Sequence, residues 1–313
     1  MANYVKISTL GPRPFMEKPQ VGQAAVERMI NFWRDELAQV LPDRPDLIVL
    51  PEACDRFPAH SPEERRAYYR VRGEQVLRFL ADTAKEHNCY IAYSAARELP
   101  DGTWRNSTQL IGRDGQVVGI YNKNHPTIGE MEWGILAGRS APILQCDFGR
   151  VGCAICFDLN FDQLRQKYVQ SGPDLILFSS MYHGGLMQGY WAYSCRAHLV
   201  TSLAGLPCAI ISPVGHTLAH TTNYFHFVTT TVNLDCKVLH LDFNWERLTA
   251  MKQKYGSRVS LYDPGHLGAV LISSESDEFS SDDLVQEFGF ELLDDYLSRS
   301  LSCRRDPQNM EPA

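Results

Sequence analysis

The sequence lacks the excess of basic residues that marks most nucleic-acid-binding proteins. Its 313 residues contain 30 Lys and Arg against 37 Asp and Glu, which gives a formal net charge of −7 at pH 7. Nucleic-acid-binding domains are usually basic, because their affinity depends on contacts with phosphates. The charge balance therefore argues against nucleic acid as a partner.

Long apolar runs are also missing from the sequence. No window approaches the roughly 18 apolar residues that a membrane helix needs. The first residues, MANYVKISTLGPRPF, contain no apolar segment of signal-peptide length. We expect a cytoplasmic protein that makes no membrane contact.

Cysteine is present, but not in a pattern that indicates disulfides. The nine cysteines are an odd number spread along a long chain, so a disulfide framework is not expected. A chain of this length can bury about three quarters of its unfolded surface without crosslinks. Most of the thiols should be reduced and buried, and a functional cysteine must be identified by a specific argument.

Apolar runs typical of strands alternate with amphipathic segments typical of helices, which predicts a layered α/β protein. The pattern favours strands at residues 46–50, 89–95, 151–155, 174–179, 208–212, 225–232 and 238–242, and a short edge-like strand at 5–8. It favours helices at residues 20–40, 61–87, 162–170, 188–203 and 284–301.

Two local signals are stronger than the rest. Ser61, Pro62 and Glu64 form the capping-box pattern of a helix start. The turn dipeptide Asp114-Gly115 predicts a hairpin that joins strands at residues 108–111 and 117–121.

An acid, a base and a thiol each follow a predicted strand. Glu52 follows the strand at 46–50, Lys123 follows the hairpin, and Cys156 follows the strand at 151–155. Taken singly, each residue fits an ordinary structural role, a solvated loop residue or a small buried thiol. Functional side chains nevertheless concentrate on loops at strand ends.

Together the three residues supply a coherent chemistry. A carboxylate can take the proton of a thiol, which must ionise to act as a nucleophile. A lysine can stabilise the oxyanion formed when a thiolate attacks a carbonyl or nitrile carbon. Because Cys156 lies at a strand-to-helix turn, the backbone N–H of Phe157 could also bind that oxyanion.

Three segments around these residues resemble the signatures of the nitrilase superfamily of carbon–nitrogen hydrolases. They are LPE at residues 50–52, YNKNHPTIGE at 121–130 and ICFD at 155–158, in the order found in that family. The resemblance covers residues 5–242. It implies a four-layer αββα sandwich of two sheets with helices outside, and a homodimer or higher homo-oligomer that pairs through helices.

The resemblance also implies roles for individual residues. The glutamate acts as base and then acid, the lysine stabilises the tetrahedral intermediate, and the cysteine forms a thioester. Neither a metal nor an organic cofactor is needed. Glu130 matches the family's second glutamate, with Glu132 as the competing position. His125 is interpreted as a residue that holds its loop.

Further positions match the family with less specificity. By resemblance to the family, Tyr182 and His183 occupy a position that lines the substrate pocket, although an ordinary loop is nearly as good an interpretation. Arg196 resembles the family's arginine–alanine pair and is interpreted first as a structural salt-bridge residue.

The segment after the nucleophile bears on the substrate. Phe157-Asp158 resembles the amidase and carbamoyl-hydrolase branches, whereas true nitrilases carry Trp-Glu there. Trp133-Gly134, however, resembles nitrilases. Asn160 replaces the arginine that would hold a substrate carboxylate in several amidases, which casts doubt on dicarboxylic amides. We therefore expect hydrolysis of a small-molecule amide or N-carbamoyl bond that releases ammonia or an amine, with nitrile hydrolysis as the alternative.

Three other functions are weighed against this one. Cys153 and Cys156 form a CxxC pair of the kind found in redox centres, but Cys153 lies inside the apolar run. His216 and His220 have a metal-ligand spacing, but the surrounding sequence disfavours a helix. A non-catalytic scaffold of the superfamily would need a broken triad. For domain organisation, we expect a hydrolase domain at residues 1–272, followed by an acidic loop, a helix and a tail at 273–313.

Overall fold

The computed structural model describes residues 1–15 and 21–311, and it divides into two compact units. One unit is Val5–Val232, and the other combines Met1–Tyr4 with Asn233–Ala313. The predicted domain boundary after residue 272 is thus not where these units divide, and that domain division stays a prediction.

The strands of the described residues are β1 (Tyr4–Leu10), β2 (Leu47–Val49), β3 (Tyr90–Glu98), β4 (Trp104–Ile111), β5 (Val117–Asn122), β6 (Leu144–Cys146), β7 (Gly149–Ile155), β8 (Leu175–Ser180), β9 (His198–Leu203), β10 (Ala209–Ile211), β11 (Thr217–His220), β12 (Phe227–Asn233), β13 (Cys236–His240), β14 (Val259–Tyr262) and β15 (Ala269–Ser274). The α-helices of the same residues are α1 (Gln23–Leu37), α2 (Pro62–Arg72), α3 (Gln75–Glu86), α4 (Ile128–Trp133), α5 (Asp162–Ser171), α6 (Leu186–Cys195), α7 (Trp245–Tyr255), α8 (Ser281–Phe288) and α9 (Leu293–Arg304).

The larger unit contains two six-stranded sheets. The first has the order β12-β1-β2-β3-β4-β5, and the second has the order β11-β10-β9-β8-β7-β6. In the first sheet β1, β2 and β3 are parallel, as are β7, β8 and β9 in the second. Parallel strands direct their carboxyl ends to the same edge, so the loops after β2 and after β7 are placed to carry a shared site.

The two sheets face each other through small hydroxyl residues. Ser179 Oγ donates to the Leu50 carbonyl across a 2.8 Å hydrogen bond, and Thr9 Oγ1 donates to the Thr201 carbonyl at 2.8 Å. All four residues are fully buried, and buried hydroxyls of this kind must be paired to be tolerated. Short side chains let the sheets approach, and these hydrogen bonds fix their alignment.

Helices cover the outer faces of both sheets. On the first sheet, Met29 and Trp33 of α1 and Leu80 of α3 share a buried cluster with Ile48 and Ile91. On the second, Tyr168 of α5 contacts Trp191 of α6, and the Tyr168 hydroxyl hydrogen-bonds the backbone of Cys153. The four-layer αββα arrangement expected from the sequence is confirmed.

The smaller unit has its own sheet and core. Its strands have the order β13-β15-β14, and all its pairings are antiparallel. Leu239, Leu248, Met251, Ile272 and Leu284 form its buried cluster, which joins this sheet to α7 and α8.

Three of the predicted helices are wrong in extent. The helix predicted at residues 61–87 is divided into α2 and α3 at Gly73, which has φ +47°. The one predicted at 188–203 ends at Cys195, and its second half is β9. The one predicted at 284–301 is α8 and α9, separated after Gly289 with φ +61°. In each case a residue with positive φ ends the helix, which is the usual function of glycine at that position.

Other elements agree with the sequence. The hairpin is confirmed, since β4 and β5 pair antiparallel around Asp114-Gly115. The capping box at Ser61 is present. The strand predicted at residues 5–8 exists as β1, but it lies between β12 and β2 and is not an edge strand. Residue 20, where the first helix was predicted to begin, lies outside the described residues.

Candidate active site

Glu52, Lys123 and Cys156 line one cavity of about 450 Å³. Glu52 lies three residues after β2, Lys123 directly after β5, and Cys156 directly after β7. Both sheets therefore contribute to the site, and the opposing strand ends bring together residues that are far apart in sequence.

Lys123 lies between two carboxylates. Its Nζ donates to Glu52 Oε1 at 2.9 Å and to Glu130 Oε2 at 2.7 Å. Asn106 joins the same two acids, since its Nδ2 donates to Glu52 Oε1 and to Glu130 Oε1, each at 2.8 Å. The four side chains form a closed network that fixes the lysine and both acids in place.

The network also sets the charges of its members. Burial alone would lower the pKa of Lys123, but the charges of Glu52 and Glu130 outweigh it and hold that pKa above its ordinary value. Burial opposes ionisation of Glu130, yet the Lys123 ammonium and its hydrogen bond keep the pKa of Glu130 below normal. At neutral pH the lysine is therefore a buried cation and Glu130 an anion.

Cys156 is held in a strained conformation as a neutral thiol. Its φ is +50°, a left-handed conformation that non-glycine residues seldom adopt and that is common at functional turns. Burial raises the pKa of the thiol to about 12, and the Glu52 carboxylate adds to the effect, while Lys123 and the Met181 N–H oppose it. Such a thiol needs a base before it can act as a nucleophile.

The remaining oxygen of Glu52 is also occupied. Oε2 accepts a hydrogen bond from the backbone N–H of Met181 at 3.1 Å, just past the end of β8. Ala53, the next residue after Glu52, has φ +47°. Glu52 is thus held by groups from both sheets beside the thiol.

Asp158 supports the turn that carries Cys156. It is fully buried and accepts hydrogen bonds from the Tyr121 hydroxyl at 2.6 Å and from the Ile155 N–H at 3.0 Å. It also accepts from the His125 N–H at 2.8 Å, and its Oδ1 lies 2.9 Å from His125 Nδ1. His125 stacks on Phe161 with ring centroids 4.0 Å apart, in keeping with its interpretation as a residue that holds the loop.

The two candidate second glutamates lie in different surroundings. Glu130 lies in the first turn of α4, where its carboxylate completes a capping box with Thr127 and contacts Lys123. Glu132 is exposed. A catalytic role for Glu130 stays a prediction.

The other candidate residues are not among those that line the cavity. Tyr182 accepts a hydrogen bond from Asn160 at 3.1 Å, and His183 is exposed, with its Nδ1 accepting from the Gly185 N–H. The Phe157 side chain is 38% exposed. Arg196 ends α6 and stacks on Tyr193. Substrate contacts by Tyr182 and His183, and oxyanion binding by the Phe157 backbone, stay predictions.

Asn106 was missed by the sequence analysis, although a signal for it existed. In the β4–β5 hairpin Ser107 is opposite Asn122, and the Lys123 N–H donates to the Asn106 carbonyl at 2.8 Å. Extending the predicted hairpin register by two residues would have placed Asn106 beside Lys123. The Met181 N–H had no such signal, because a backbone group leaves no mark in the sequence.

The described residues offer neither a cluster of metal ligands nor a membrane-spanning helix. Within residues 1–15 and 21–311, no group of three or more His, Cys, Asp or Glu side chains is arranged to hold a metal ion. The same residues contain no helix long and apolar enough to cross a membrane.

Comparisons with known proteins identify the family of this chain and agree with its fold. The chain belongs to the carbon–nitrogen hydrolase family, whose model matches residues 20–236. It is 24% identical over 162 residues to omega-amidase NIT2 of Danio rerio, covering 49% of this chain and 58% of that protein. It is 26% identical over 171 residues to deaminated glutathione amidase of Mus musculus, covering 50% and 52%. The chain thus matches little more than half the length of these curated relatives.

Solved structures of the superfamily share the fold. The carbon–nitrogen hydrolase of Helicobacter pylori has a TM-score of 0.64 at 14% identity, covering 81% of this chain and 93% of that one. Saccharomyces cerevisiae Nit3, a member of the nitrilase superfamily, has a TM-score of 0.61 at 16% identity, covering 81% and 95%. The predicted nitrilase-like fold and superfamily are confirmed.

Proposed function

We propose that this protein hydrolyses a non-peptide carbon–nitrogen bond in a small-molecule amide or N-carbamoyl compound, with Cys156 as nucleophile. The observation that carries the proposal is the single cavity in which the Cys156 thiol, the Glu52 carboxylate and the buried Lys123 ammonium lie together. Family membership supports the same chemistry, and the similar relatives from Danio rerio and Mus musculus are both named as amidases.

The proposed reaction passes through a covalent thioester on Cys156. Glu52 takes the proton of Cys156, and the thiolate attacks the amide carbon to form a C–S bond. Lys123 stabilises the oxyanion, with the Phe157 N–H as a second proposed donor. When the C–N bond breaks, the proton on Glu52 passes to the leaving nitrogen, and a thioester remains. Water, deprotonated by Glu52, then releases the acid and restores the thiol.

Ammonia release tests the proposal. We would incubate the purified protein with a primary aliphatic amide, an N-carbamoyl amino acid, a ureido acid and an arylacetonitrile, alongside Cys156→Ala. The matched control is Cys303→Ala, because Cys303 is an exposed thiol outside the cavity. Release from an amide or carbamoyl compound that Cys156→Ala abolishes and Cys303→Ala retains is the expected result. Release that survives in Cys156→Ala would overturn the proposed nucleophile, and release from the nitrile alone would favour the nitrilase alternative.

We also infer a homodimer, from the family resemblance, and the cytoplasmic location expected from the sequence stays a proposal. The outer helices α5 and α6 expose Val169, Leu186 and Tyr190, with Leu186 81% exposed. Apolar side chains on a helix surface are suited to pairing with a second copy. Light scattering after size-exclusion chromatography should give about twice the 35.4 kDa of the chain, and Leu186→Glu should lower that mass. A wild-type mass of one chain would exclude the dimer.

A further inference from the structure

Two arginines line the cavity without an acidic partner. Arg56 lies four residues after Glu52, and Arg65 lies near the start of α2. Arg56 Nη2 contacts the Met181 sulfur at 3.1 Å, and Arg65 Nη2 donates to the His60 carbonyl at 3.3 Å. In the part of the chain that the structure describes, neither makes a salt bridge, and the buried Nε of each has no hydrogen-bond partner. Such donors are usually paired.

The glutamates beside Arg65 on α2 and the glutamates that line the cavity are engaged elsewhere. Glu63 and Glu64 both contact Ser61 at the start of α2, where the Ser61 N–H donates to Glu64 Oε2 at 2.8 Å. Glu52 and Glu130 share Lys123. The two guanidinium groups therefore add positive charge to the cavity that none of these four glutamates pairs.

The arginines are also close enough to affect each other. Burial lowers the pKa of Arg65, and the positive charge of Arg56 lowers it further. Two like charges that approach in a partly buried place repel each other, and an anion bound to both would relieve that repulsion. Guanidinium groups are well matched to carboxylates because their paired N–H donors fit the two oxygens.

The cavity walls suit the rest of such a ligand. Tyr69, Trp133 and Ile135 line the same cavity and offer apolar surface. A matching small molecule has an amide at one end, a carboxylate at the other and a short carbon chain between them. Its amide would lie at Cys156, its chain against the apolar walls and its carboxylate against the two arginines. The lack of an arginine at Asn160 does not argue against a substrate carboxylate here. Asn160 is exposed and donates to Tyr182 and to the Phe157 carbonyl, whereas the two arginines line the cavity itself.

We propose that Arg56 and Arg65 form a carboxylate-binding subsite, so that this protein selects amides or N-carbamoyl compounds that carry a carboxylate. The inference rests on the proposed function and names the substrate class for the same cavity. The cationic groups are supplied by the segment after Glu52 and by α2, not by the residues that follow the nucleophile.

Kinetic selectivity tests the subsite. We would measure kcat/KM for half-amides of dicarboxylic acids of increasing length and for neutral primary amides of the same length. The wild type should prefer the half-amide of the best length. Arg65→Gln or Arg56→Gln should reduce the ratio of charged to neutral kcat/KM by about 10- to 100-fold, the expected loss of a hydrogen bond to a charged group. Arg65→Lys should lose less, because it keeps the charge.

The matched control is Arg70→Gln, since Arg70 is an exposed residue of the same helix that pairs with Glu98 outside the cavity. It removes the same charge and should leave the ratio unchanged. A wild-type ratio near one, or equal effects of Arg65→Gln and Arg70→Gln, would overturn the subsite. Circular dichroism establishes that each variant is folded.

A binding measurement separates this inference from the proposed function. Calorimetric titration with the dicarboxylate product requires no turnover. Binding that Arg65→Gln weakens about 10-fold or more would support the subsite, even if no amide were hydrolysed and the proposed reaction failed. Hydrolysis of neutral amides without any dicarboxylate binding would preserve the reaction and reject the subsite.

Discussion

Glu52 is the residue on which the proposed chemistry depends most directly. The Cys156 thiol beside it has a pKa raised to about 12, so only about one thiol in 10⁴ ionises unaided at pH 8. A base must remove the proton during the reaction. Glu52 is the candidate, because its charge contributes to the raised pKa of Cys156 and it therefore lies close to the thiol. The contribution of a general base is typically about 10²–10⁴-fold in rate.

We predict that Glu52→Gln lowers kcat by about 10²–10⁴-fold, because the amide keeps the shape but cannot accept the proton. The measurement is steady-state hydrolysis of the best amide substrate. Glu132→Gln serves as the control, since Glu132 is an exposed residue of the neighbouring helix, and it should retain full activity. A rate for Glu52→Gln within threefold of wild type would exclude Glu52 as the base.

The raised pKa of Cys156 gives a prediction of its own. Below a pKa of about 12 the folded protein keeps this thiol protonated, so thiolate absorbance at 240 nm should not include Cys156 between pH 6 and 9. The difference between wild type and Cys156→Ala measures this group separately from the other cysteines. A difference signal that rises with a midpoint near pH 7 or 8 would show instead a thiolate stabilised by Lys123.

At the scale of elements, α2, which carries Arg65, is separated from α3 at Gly73. Gly73 has φ +47° and ψ −120°, a conformation that residues with a Cβ adopt only at a cost of about 1–3 kcal/mol. We predict that Gly73→Ala lowers the free energy of unfolding by about this amount, measured by urea denaturation.

Gly189→Ala is the matched control for that substitution. Gly189 lies inside α6 with an ordinary φ, and an added Cβ would come no closer than 3.6 Å to a neighbouring atom. Because glycine is unfavourable in a helix, this variant should be neutral or stabilising by about 0.5–1 kcal/mol. Equal losses in the two variants would mean that the backbone conformation at Gly73 is not the cause.

The sequence predicted the helix and strand types better than it predicted where helices end. Amphipathic periodicity continues across residues 61–87, yet Gly73 stops α2 because its backbone takes a conformation that no helix allows. Residues 198–203 are all buried although three of them are polar, and a segment without a clear apolar period fits a buried strand as well as a helix. Tertiary packing determines the structure of residues 198–203, which form β9 and pair in parallel with β8.

The site shows the same division between local and tertiary information. Glu52, Lys123 and Cys156 were predicted because each has a local signature, and the structure places all three in one cavity. Arg56 and Arg65 carry no such signature, since most arginines in a sequence are solvated surface residues. Their proposed role follows from tertiary structure, because the fold places both in the cavity lining and pairs Glu52 and Glu130 with Lys123.

For the whole molecule, a buried histidine in the second sheet makes stability depend on pH. His198 begins β9, and burial lowers its pKa from 6.5 to about 4. Between these pH values the unfolded chain binds a proton that the folded protein does not, so the free energy of unfolding falls as the pH falls. The loss should total about 3 kcal/mol, because each pKa unit corresponds to about 1.4 kcal/mol.

We predict that His198→Gln flattens this dependence, because glutamine does not titrate. Urea denaturation of wild type and variant at several pH values between 7 and 4 measures the slope. His87→Gln is the control, as His87 is exposed at the end of α3, and it should keep the wild-type slope. If His198→Gln and wild type lost stability in parallel, another group would be responsible for the acid sensitivity.

The immobility of Glu52 has a consequence for how substrate range could change. Oε1 is held by Lys123 and Asn106 and Oε2 by the Met181 N–H, so turning the carboxylate would break three hydrogen bonds at once. The substrate must therefore bind in the correct position relative to a carboxylate that does not move. A movement of Glu52 cannot compensate for a substrate that binds in a wrong position. If the proposed function is correct, selection among substrates depends on the side chains proposed to bind the rest of the molecule, Arg56 and Arg65 together with the cavity residues Tyr69 and Trp133. New specificities, whether natural or engineered, should arise from exchanges there while the reacting groups remain unchanged.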